Sequence, residues 1–147
     1  MKTRILIVDD EQDFVQALTE RLAIRDFQVA TAYSGEEAVK KVKAYNYDVV
    51  ILDVLMPGMD GLATLHAIKE IKPLTEVIML TGNASVETAI EGMKQGALDF
   101  LMKPCDPEKL HAKIKKAQAR KAEHEERIRE AKVQLLISSP RSVLKDD

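Results

Sequence analysis

The sequence lacks the features on which secreted and membrane proteins depend. Its single cysteine, Cys105, excludes a disulfide within the chain and any cysteine-based zinc site. Residues 1–4 lead directly into a short apolar run, without the long apolar stretch and cleavage site of a signal peptide, and no segment approaches membrane-spanning length. We therefore expect a protein of the reducing cytoplasm that does not enter a membrane.

The sequence also has few aromatic residues and a small net charge. Aromatic side chains make up 4% of the sequence, tryptophan is absent, and the net charge is −2. Residues 1–105 carry 11 basic and 16 acidic side chains, so the body of the chain is acidic. An acidic body lacks the broad positive surface that non-specific nucleic-acid binding requires, and we expect no direct contact with DNA or RNA.

Short apolar runs alternate with amphipathic segments along the 147 residues, a length typical of one domain. Runs typical of buried strands lie at 4–8, 28–32, 49–52, 77–80 and 99–102. Helical spacing of apolar residues fills each interval between them and continues after the last. This alternation predicts an α/β fold, a doubly wound five-stranded parallel sheet with helices on both faces. The expected strand order, 2-1-3-4-5, is that of flavodoxin-like folds.

Capping residues mark where three of the helices are expected to begin: Ser34, Ser85 and Asp106. The second helix is expected to bury one apolar face, made of Ala38, Val39, Val42 and Tyr45. The fourth helix is expected to do the same with Val86, Ala89, Ile90 and Met93, and to end near Gly96.

The fifth helix is expected to be unusually long. Its heptad positions, interrupted by polar residues, are Leu110, Ile114, Ala117, Lys121, His124, Ile128, Ala131 and Leu135. The Ser-Ser-Pro run at 138–140 ends the pattern. We expect a domain over residues 1–120, followed over 121–147 by an extension of this helix and a tail. The extension is a candidate surface for a homodimer.

Acidic residues stand where the first and third strands end. Asp9 and Asp10 follow the first strand, and Asp53 ends the third. In the predicted strand order these two strands are neighbours at the topological switch point, where such sheets bind ligands. Three carboxylates brought together there repel one another and favour a cation. Because oxygen is the only ligand type on offer, we expect Mg²⁺.

A hydroxyl and an ammonium end the next two strands at the same edge. Thr81 ends the fourth strand, and Lys103 follows the fifth. Each can hold one oxygen of a phosphoryl group while a metal ion holds another. A carboxylate can itself attack phosphorus, and the central position of Asp53 makes it the candidate acceptor.

These motifs together resemble the receiver domain of two-component response regulators, over about residues 2–116. The resemblance rests on Asp9-Asp10, on Asp53 followed by Met56-Pro57-Gly58-Met59-Asp60-Gly61, on Thr81-Gly82, and on Gly96-Ala97 through Phe100 to Lys103-Pro104. It implies that Asp53 accepts a phosphoryl group from the phosphohistidine of a sensor histidine kinase or a phosphotransfer protein. It further implies a Mg²⁺ site made by Asp9, Asp10, Asp53 and the backbone carbonyl of Leu55.

The resemblance also implies a conformational switch. Thr81 is expected to move toward the phosphate, Phe100 to turn inward behind it, and Lys103 to pair with the phosphorylated carboxylate. The peptide bond between Lys103 and Pro104 is expected to be cis. Leu55 and Asn83 occupy the two positions at which the family tunes hydrolysis, and an apolar Leu55 is expected to slow it.

Output is expected through protein contacts with a downstream partner that the sequence does not identify. Polar Lys121 and His124 at heptad positions suit weak, switchable pairing, which favours a stand-alone receiver over a fragment. Two other readings stay open. A Mg²⁺-dependent phosphatase with an aspartyl-phosphate intermediate usually needs a second acid two residues beyond the nucleophile, where this chain has Leu55. A flavodoxin-like FMN carrier needs a hydroxyl- and glycine-rich loop after the first strand.

Overall fold

The computed structural model describes residues 2–82 and 85–138. Five strands alternate with five helices along this part of the chain. Their bounds are β1 Arg4–Val8, α1 Gln12–Ile24, β2 Gln28–Ala32, α2 Gly35–Ala44, β3 Val49–Asp53, α3 Gly61–Ile71, β4 Glu76–Thr81, α4 Val86–Lys94, β5 Asp99–Met102 and α5 Pro107–Ser138.

The five strands form one parallel sheet in the order β2-β1-β3-β4-β5, which confirms the predicted class and topology. Central strand β3 is buried along its whole length, as expected for an apolar strand that helices cover on both faces. Alternate side chains of the sheet enter two separate apolar cores. Val50 and Leu52 lie in one, against α2, α3 and α4, and Val49 and Ile51 lie in the other, against α1 and α5.

Helix α2 begins with the predicted side-chain cap. The Ser34 hydroxyl accepts a hydrogen bond from the amide of Glu37, and the Glu37 carboxylate accepts one from the amide of Tyr33. Ala38 and Val42 are buried, but Tyr45 is 59% exposed, so its assignment to the apolar face was wrong. The helix ends at Ala44 and Tyr45 is extended, which takes its ring out of the helical register.

Helix α4 buries only part of the apolar face predicted for it. Ala89 and Gly92 are buried, whereas Ile90 is 45% and Met93 37% exposed. Gly92 lies against Met79 of β4, where a Cβ would come 3.4 Å from the Met79 methyl group. Ala89, as predicted, and Gly92 therefore form the inner face of the helix, whereas Ile90 and Met93 do not.

Helix α5 starts as predicted, with the Asp106 carboxylate accepting a hydrogen bond from the amide of Glu108 at 2.9 Å. Leu110, Ile114 and Ala117 are buried against the sheet. Beyond them the helix continues to Ser138 with mostly exposed side chains, and the predicted break at Ser139 and Pro140 lies outside the described residues. Within the described ranges, no helix is both long and apolar enough to cross a membrane.

Candidate functional site

Four chain segments bring polar side chains to one edge of the sheet. Asp9 directly follows β1, Asp53 ends β3, Thr81 ends β4 and Lys103 directly follows β5. The strands are parallel and in register at this end, where Asp53 pairs with Leu80. Their carboxyl ends therefore meet, and the four side chains border one crevice.

Three carboxylates lie close together in this crevice. Asp9, Asp10 and Asp53 each offer an oxygen, and these oxygens lie within 4.8 Å of one another. Asp9 and Asp53 are buried, whereas Asp10 is exposed at the mouth. A buried acidic pair with a third acid open to solvent combines strong charge repulsion with access for a cation.

The ammonium of Lys103 lies at the centre of the acids. Its Nζ is 2.6 Å from Oδ2 of Asp9, 3.1 Å from Oε1 of Glu11 and 3.6 Å from Oδ2 of Asp53. The same Nζ lies 4.5 Å from the centre of the Phe14 ring, close enough for a cation–π contact. Asp9 is the closest of its three acidic partners and Asp53 the most distant.

These contacts shift the ionisation of the cluster. Burial and the neighbouring Asp9 charge raise the pKa of Asp53 to about 6, although Lys103 and the Leu55 amide act in the opposite direction. Burial would lower the pKa of Lys103, but its pairing with the carboxylates of Asp9 and Glu11, together with the charges of Asp9 and Asp53, raises it well above its usual value. The ammonium therefore stays charged while Asp53 holds its proton to unusually high pH.

The residues present fit a hard divalent cation. Oδ2 of Asp9 is buried, and the Lys103 ammonium 2.6 Å away is its charged partner. Three carboxylates beside this one ammonium still leave negative charge at the crevice, which a divalent cation would offset. All three acids offer oxygen only, the ligand type that Mg²⁺ takes together with water. Asp9, Asp10 and Asp53 are therefore the residues that would hold it.

The loop after Asp53 is pressed against the strand end. The Leu55 amide donates to Oδ1 of Asp53 at 3.3 Å, and the Leu55 side chain is 59% exposed at the surface. A Cβ at Gly61 would come 2.6 Å from the Asp53 carbonyl oxygen, so only glycine allows α3 to start this close to the strand. The loop thus keeps the Leu55 backbone next to the carboxylate.

Thr81 and Phe100 occupy different surroundings. Thr81 is fully buried, and its hydroxyl lies 2.5 Å from that of Ser85. Ser85 holds the N-cap position of α4, but its hydroxyl contacts Thr81 and Gly82, so the prediction that its side chain caps the helix was wrong. Phe100 is half-buried against the core that lies beneath α2, α3 and α4.

The peptide bond from Lys103 to Pro104 is cis in the structure. Asn83, the second position at which hydrolysis is expected to be tuned, lies outside the described residues.

Two residues of the site, Glu11 and Phe14, were not predicted from the sequence. Both contact Lys103, from which Glu11 is separated by 92 positions. Spacing along the chain carries no signal for such contacts, because they depend on how α1 docks beside β5.

Comparison with known proteins gives consistent matches. Residues 5–115 match the family model of the response regulator receiver domain. The transcriptional regulatory protein ZraR of Salmonella typhimurium is 42% identical over 118 residues, which are 80% of this chain and 27% of that protein. The chain therefore spans about a quarter of the length of this relative.

Solved structures show the same likeness. A response regulator receiver domain protein from Clostridium thermocellum superposes with a TM-score of 0.78 at 37% identity, covering 82% of this chain and 97% of that one. A chain described as an adenylate cyclase from Rhodopirellula baltica gives a TM-score of 0.78 at 31% identity and covers all of both chains. The second match extends over the long final helix as well as the sheet.

Proposed function

Because the chain belongs to the response regulator receiver family, we propose that Asp53 accepts a phosphoryl group from the phosphohistidine of a sensor histidine kinase or a phosphotransfer protein. The family acts in signalling as a phosphoacceptor and not as a classical enzyme. The observation that carries the proposal is the position of the Asp53 carboxylate, 3.6 Å from the Lys103 ammonium and within the acidic cluster. Since such kinases draw on ATP, the proposal places the chain in the cytoplasm.

Each residue of the crevice has its own role in the proposed phosphoryl transfer. An oxygen of ionised Asp53 forms a bond to phosphorus while the bond from phosphorus to the histidine nitrogen breaks, and the electron pair stays on the imidazole. Lys103 and Thr81 each bind one phosphoryl oxygen and orient the group. Asp9, Asp10, Asp53 and the Leu55 carbonyl would hold Mg²⁺, which when bound would supply positive charge to offset that of the phosphoryl group.

Phosphorylation at Asp53 changes the partners of the surrounding groups. In the unphosphorylated chain Lys103 lies closest to Asp9, and the Thr81 hydroxyl contacts Ser85. New phosphoryl oxygens offer both groups a stronger, charged acceptor. We propose that Thr81 then moves toward the phosphate and that Phe100, half-buried on the neighbouring strand β5, turns inward into the space this opens.

Labelling with a small phosphodonor tests the acceptor directly. The protein is incubated with acetyl phosphate and Mg²⁺ and its intact mass is measured. Wild type and Asp48→Ala, which removes an acid near the amino ends of the strands, are expected to gain one phosphoryl group, and Asp53→Ala none. Labelling of Asp53→Ala to the wild-type extent would contradict the assignment.

The extension of α5 is the proposed contact with a second copy of the chain. Ile128 and Leu135, seven residues apart at heptad positions, are 43% and 55% exposed. Apolar side chains repeating every seven residues on an exposed helix favour pairing with a second helix. We propose that phosphorylation of Asp53 shifts this pairing, and that the dimer presents the receiver to its downstream partner.

Sedimentation with and without a phosphoryl mimic tests the dimer. Leu135→Asp is expected to keep the chain monomeric under both conditions. Val133→Asp is the matched control, since Val133 is 46% exposed but lies away from the heptad positions. The proposed dimer switch is wrong if the wild type has the same mass with and without the mimic. It is also wrong if Leu135→Asp and Val133→Asp change the mass equally.

A further inference from the structure

The loop from β3 to α3, residues 54–60, is held in its middle by a side chain of another element. The amide of Met59 donates a hydrogen bond to Oε1 of Glu36, in the first turn of α2, at 3.0 Å. Among the described residues, no other backbone amide of 56–60 makes a recorded hydrogen bond. Within the described chain, the hydrogen bond to Glu36 is therefore the one that holds a backbone amide of residues 56–60.

The first turn of α2 lies directly on the same loop. A Cβ at Gly35 would come 2.8 Å from the carbonyl oxygen of Met59. Gly58 has a φ of +75°, and a Cβ there would come 3.2 Å from Oε1 of Glu36. The loop thus turns through a conformation that favours glycine and brings its backbone against the Glu36 carboxylate.

The other end of the loop reaches the acidic cluster. The Leu55 amide bonds to Asp53, and the Leu55 carbonyl belongs to the ligand set that the proposed function assigns to Mg²⁺. Only three residues separate Leu55 from Met59, and one of them, Pro57, has a fixed φ. Because the connecting segment is this short, we expect a shift of Met59 to displace the Leu55 carbonyl as well.

We propose that Glu36 is a positioning residue that orients the Leu55 carbonyl for the metal ion by holding the amide of Met59. This inference rests on the proposed function, because it concerns the same metal site. Glu36 does not touch the acidic cluster and acts only through the loop.

The electrostatics of Glu36 agree with this role. Backbone N–H groups, its own first and that of Met59 second, lower the pKa of the Glu36 carboxyl. The group is therefore ionised at neutral pH and accepts a charge-assisted hydrogen bond, which is stronger than one between neutral groups.

The neighbouring Glu37 offers a matched control. It stands in the same helical turn and its carboxylate also accepts a backbone hydrogen bond, from Tyr33, but it makes no recorded contact with the loop. Glu37→Ala therefore removes the same charge and a bond of the same kind without releasing Met59.

The test measures Mg²⁺ affinity of the unphosphorylated protein, by following amide NMR signals of residues 9, 10 and 53–55 as MgCl₂ is added. Glu36→Ala is expected to weaken Mg²⁺ binding by about tenfold, the lower end of what losing a group that orients a ligand usually costs. Glu36→Gln keeps an oxygen that can accept from Met59 and is expected to recover most of the affinity. Glu37→Ala is expected to bind like the wild type.

The Mg²⁺ affinities of these variants decide whether Glu36 orients the Leu55 carbonyl. Equal affinities of the wild type and Glu36→Ala would overturn it, as would equal weakening in Glu37→Ala or failure of Glu36→Gln to recover affinity. If the wild type shows no saturable Mg²⁺ binding and Asp53 accepts no phosphoryl group, the proposed function itself fails. Normal phosphorylation of the wild type with unaltered Mg²⁺ affinity in Glu36→Ala would instead remove only the role of Glu36.

Discussion

The hydroxyl oxygens of Thr81 and Ser85 lie 2.5 Å apart, and both residues are buried. Ser85 also bonds to the amide and the carbonyl of Gly82, while Thr81 bonds to the same carbonyl at 3.0 Å. The Thr81 hydroxyl is thus engaged at the junction of β4 and α4. A buried hydroxyl with satisfied hydrogen bonds needs a stronger acceptor before it will leave them.

Removal of the Ser85 hydroxyl is expected to bias the chain toward its phosphorylated conformation. Ser85→Ala leaves the Thr81 hydroxyl with the Gly82 carbonyl as its acceptor and removes the contact with Ser85, so its movement toward Asp53 costs less. The amide NMR signals of residues 81 and 100 in the unphosphorylated variant should shift part of the way toward those of the wild type with a bound phosphoryl mimic. Thr81→Val is the control and should not respond to the mimic at these signals. Wild-type signals in Ser85→Ala would contradict the expectation.

Neutralisation of Asp53 is expected to stabilise the metal-free protein at neutral pH. The folded-state pKa of Asp53 is about 6, above the ordinary value of 3.8. The folded state therefore loses stability as pH rises from about 4 to about 6, because the carboxyl must ionise beside Asp9. Asp53→Asn should raise the free energy of unfolding above pH 6 by about 1–2 kcal/mol, allowing for solvent at the mouth of the crevice.

Urea denaturation with a chelator, between pH 4 and pH 8, checks this expectation. The gain should be largest above pH 6 and should disappear toward pH 4, where the carboxyl is protonated in the folded state. Asp48→Asn is a useful contrast, since its carboxylate accepts from the amide of Arg4 and pairs with Lys121, and its loss should destabilise. A lower stability of Asp53→Asn than of the wild type at pH 8 would show that the cluster does not strain the fold.

The fold was accessible from the sequence because its signals are local and repeated. The apolar run that ends in Asp53 is typical of a strand covered on both faces, and four more strand-like runs with crossover helices leave few topologies. The site followed from the topology, since parallel strands bring their carboxyl ends to one edge. Asp9, Asp53, Thr81 and Lys103 meet there because each directly ends or follows a strand.

The remaining features depend on packing that the sequence pattern leaves open. Helix α4 has apolar residues on two sides, and periodicity alone does not favour Ala89 and Gly92 over Ile90 and Met93. The choice depends on how α4 docks against β4, which the periodicity of the helix does not encode. The contact of Glu36 with Met59 is likewise invisible in the sequence, because it depends on how α2 docks against a loop 23 positions away.

Loss of the Lys103 charge is expected to raise the pKa of Asp53 further. The Lys103 ammonium, 3.6 Å away, lowers this pKa against the opposing effects of burial and Asp9. In Lys103→Met the midpoint of Asp53 titration, followed by ¹³C NMR of its carboxyl in metal-free protein, should move up from about 6 by about one unit or more. Lys113→Met, which removes a lysine paired with Asp99, should leave it in place. An unchanged midpoint in Lys103→Met would mean that solvent screens this pair.

Leu55 is expected to prolong the phosphorylated state. Its side chain is 59% exposed two residues beyond Asp53, while its amide is tied to the Asp53 carboxylate. It therefore stands beside the route by which water reaches the phosphoryl group, and it offers no atom that can orient that water. Leu55→Asn provides an amide at the same place and should speed hydrolysis by about tenfold at most, because orienting a water contributes less than a full general base. The rate is read as the loss of phosphorylated mass after the phosphodonor is removed. Leu55→Ala shortens the side chain without adding a polar group. If this variant hydrolyses the phosphoryl group as fast as Leu55→Asn, the leucine acts by covering the site and not by failing to orient water. If Leu55→Asn hydrolyses like the wild type, Leu55 does not control the lifetime at all.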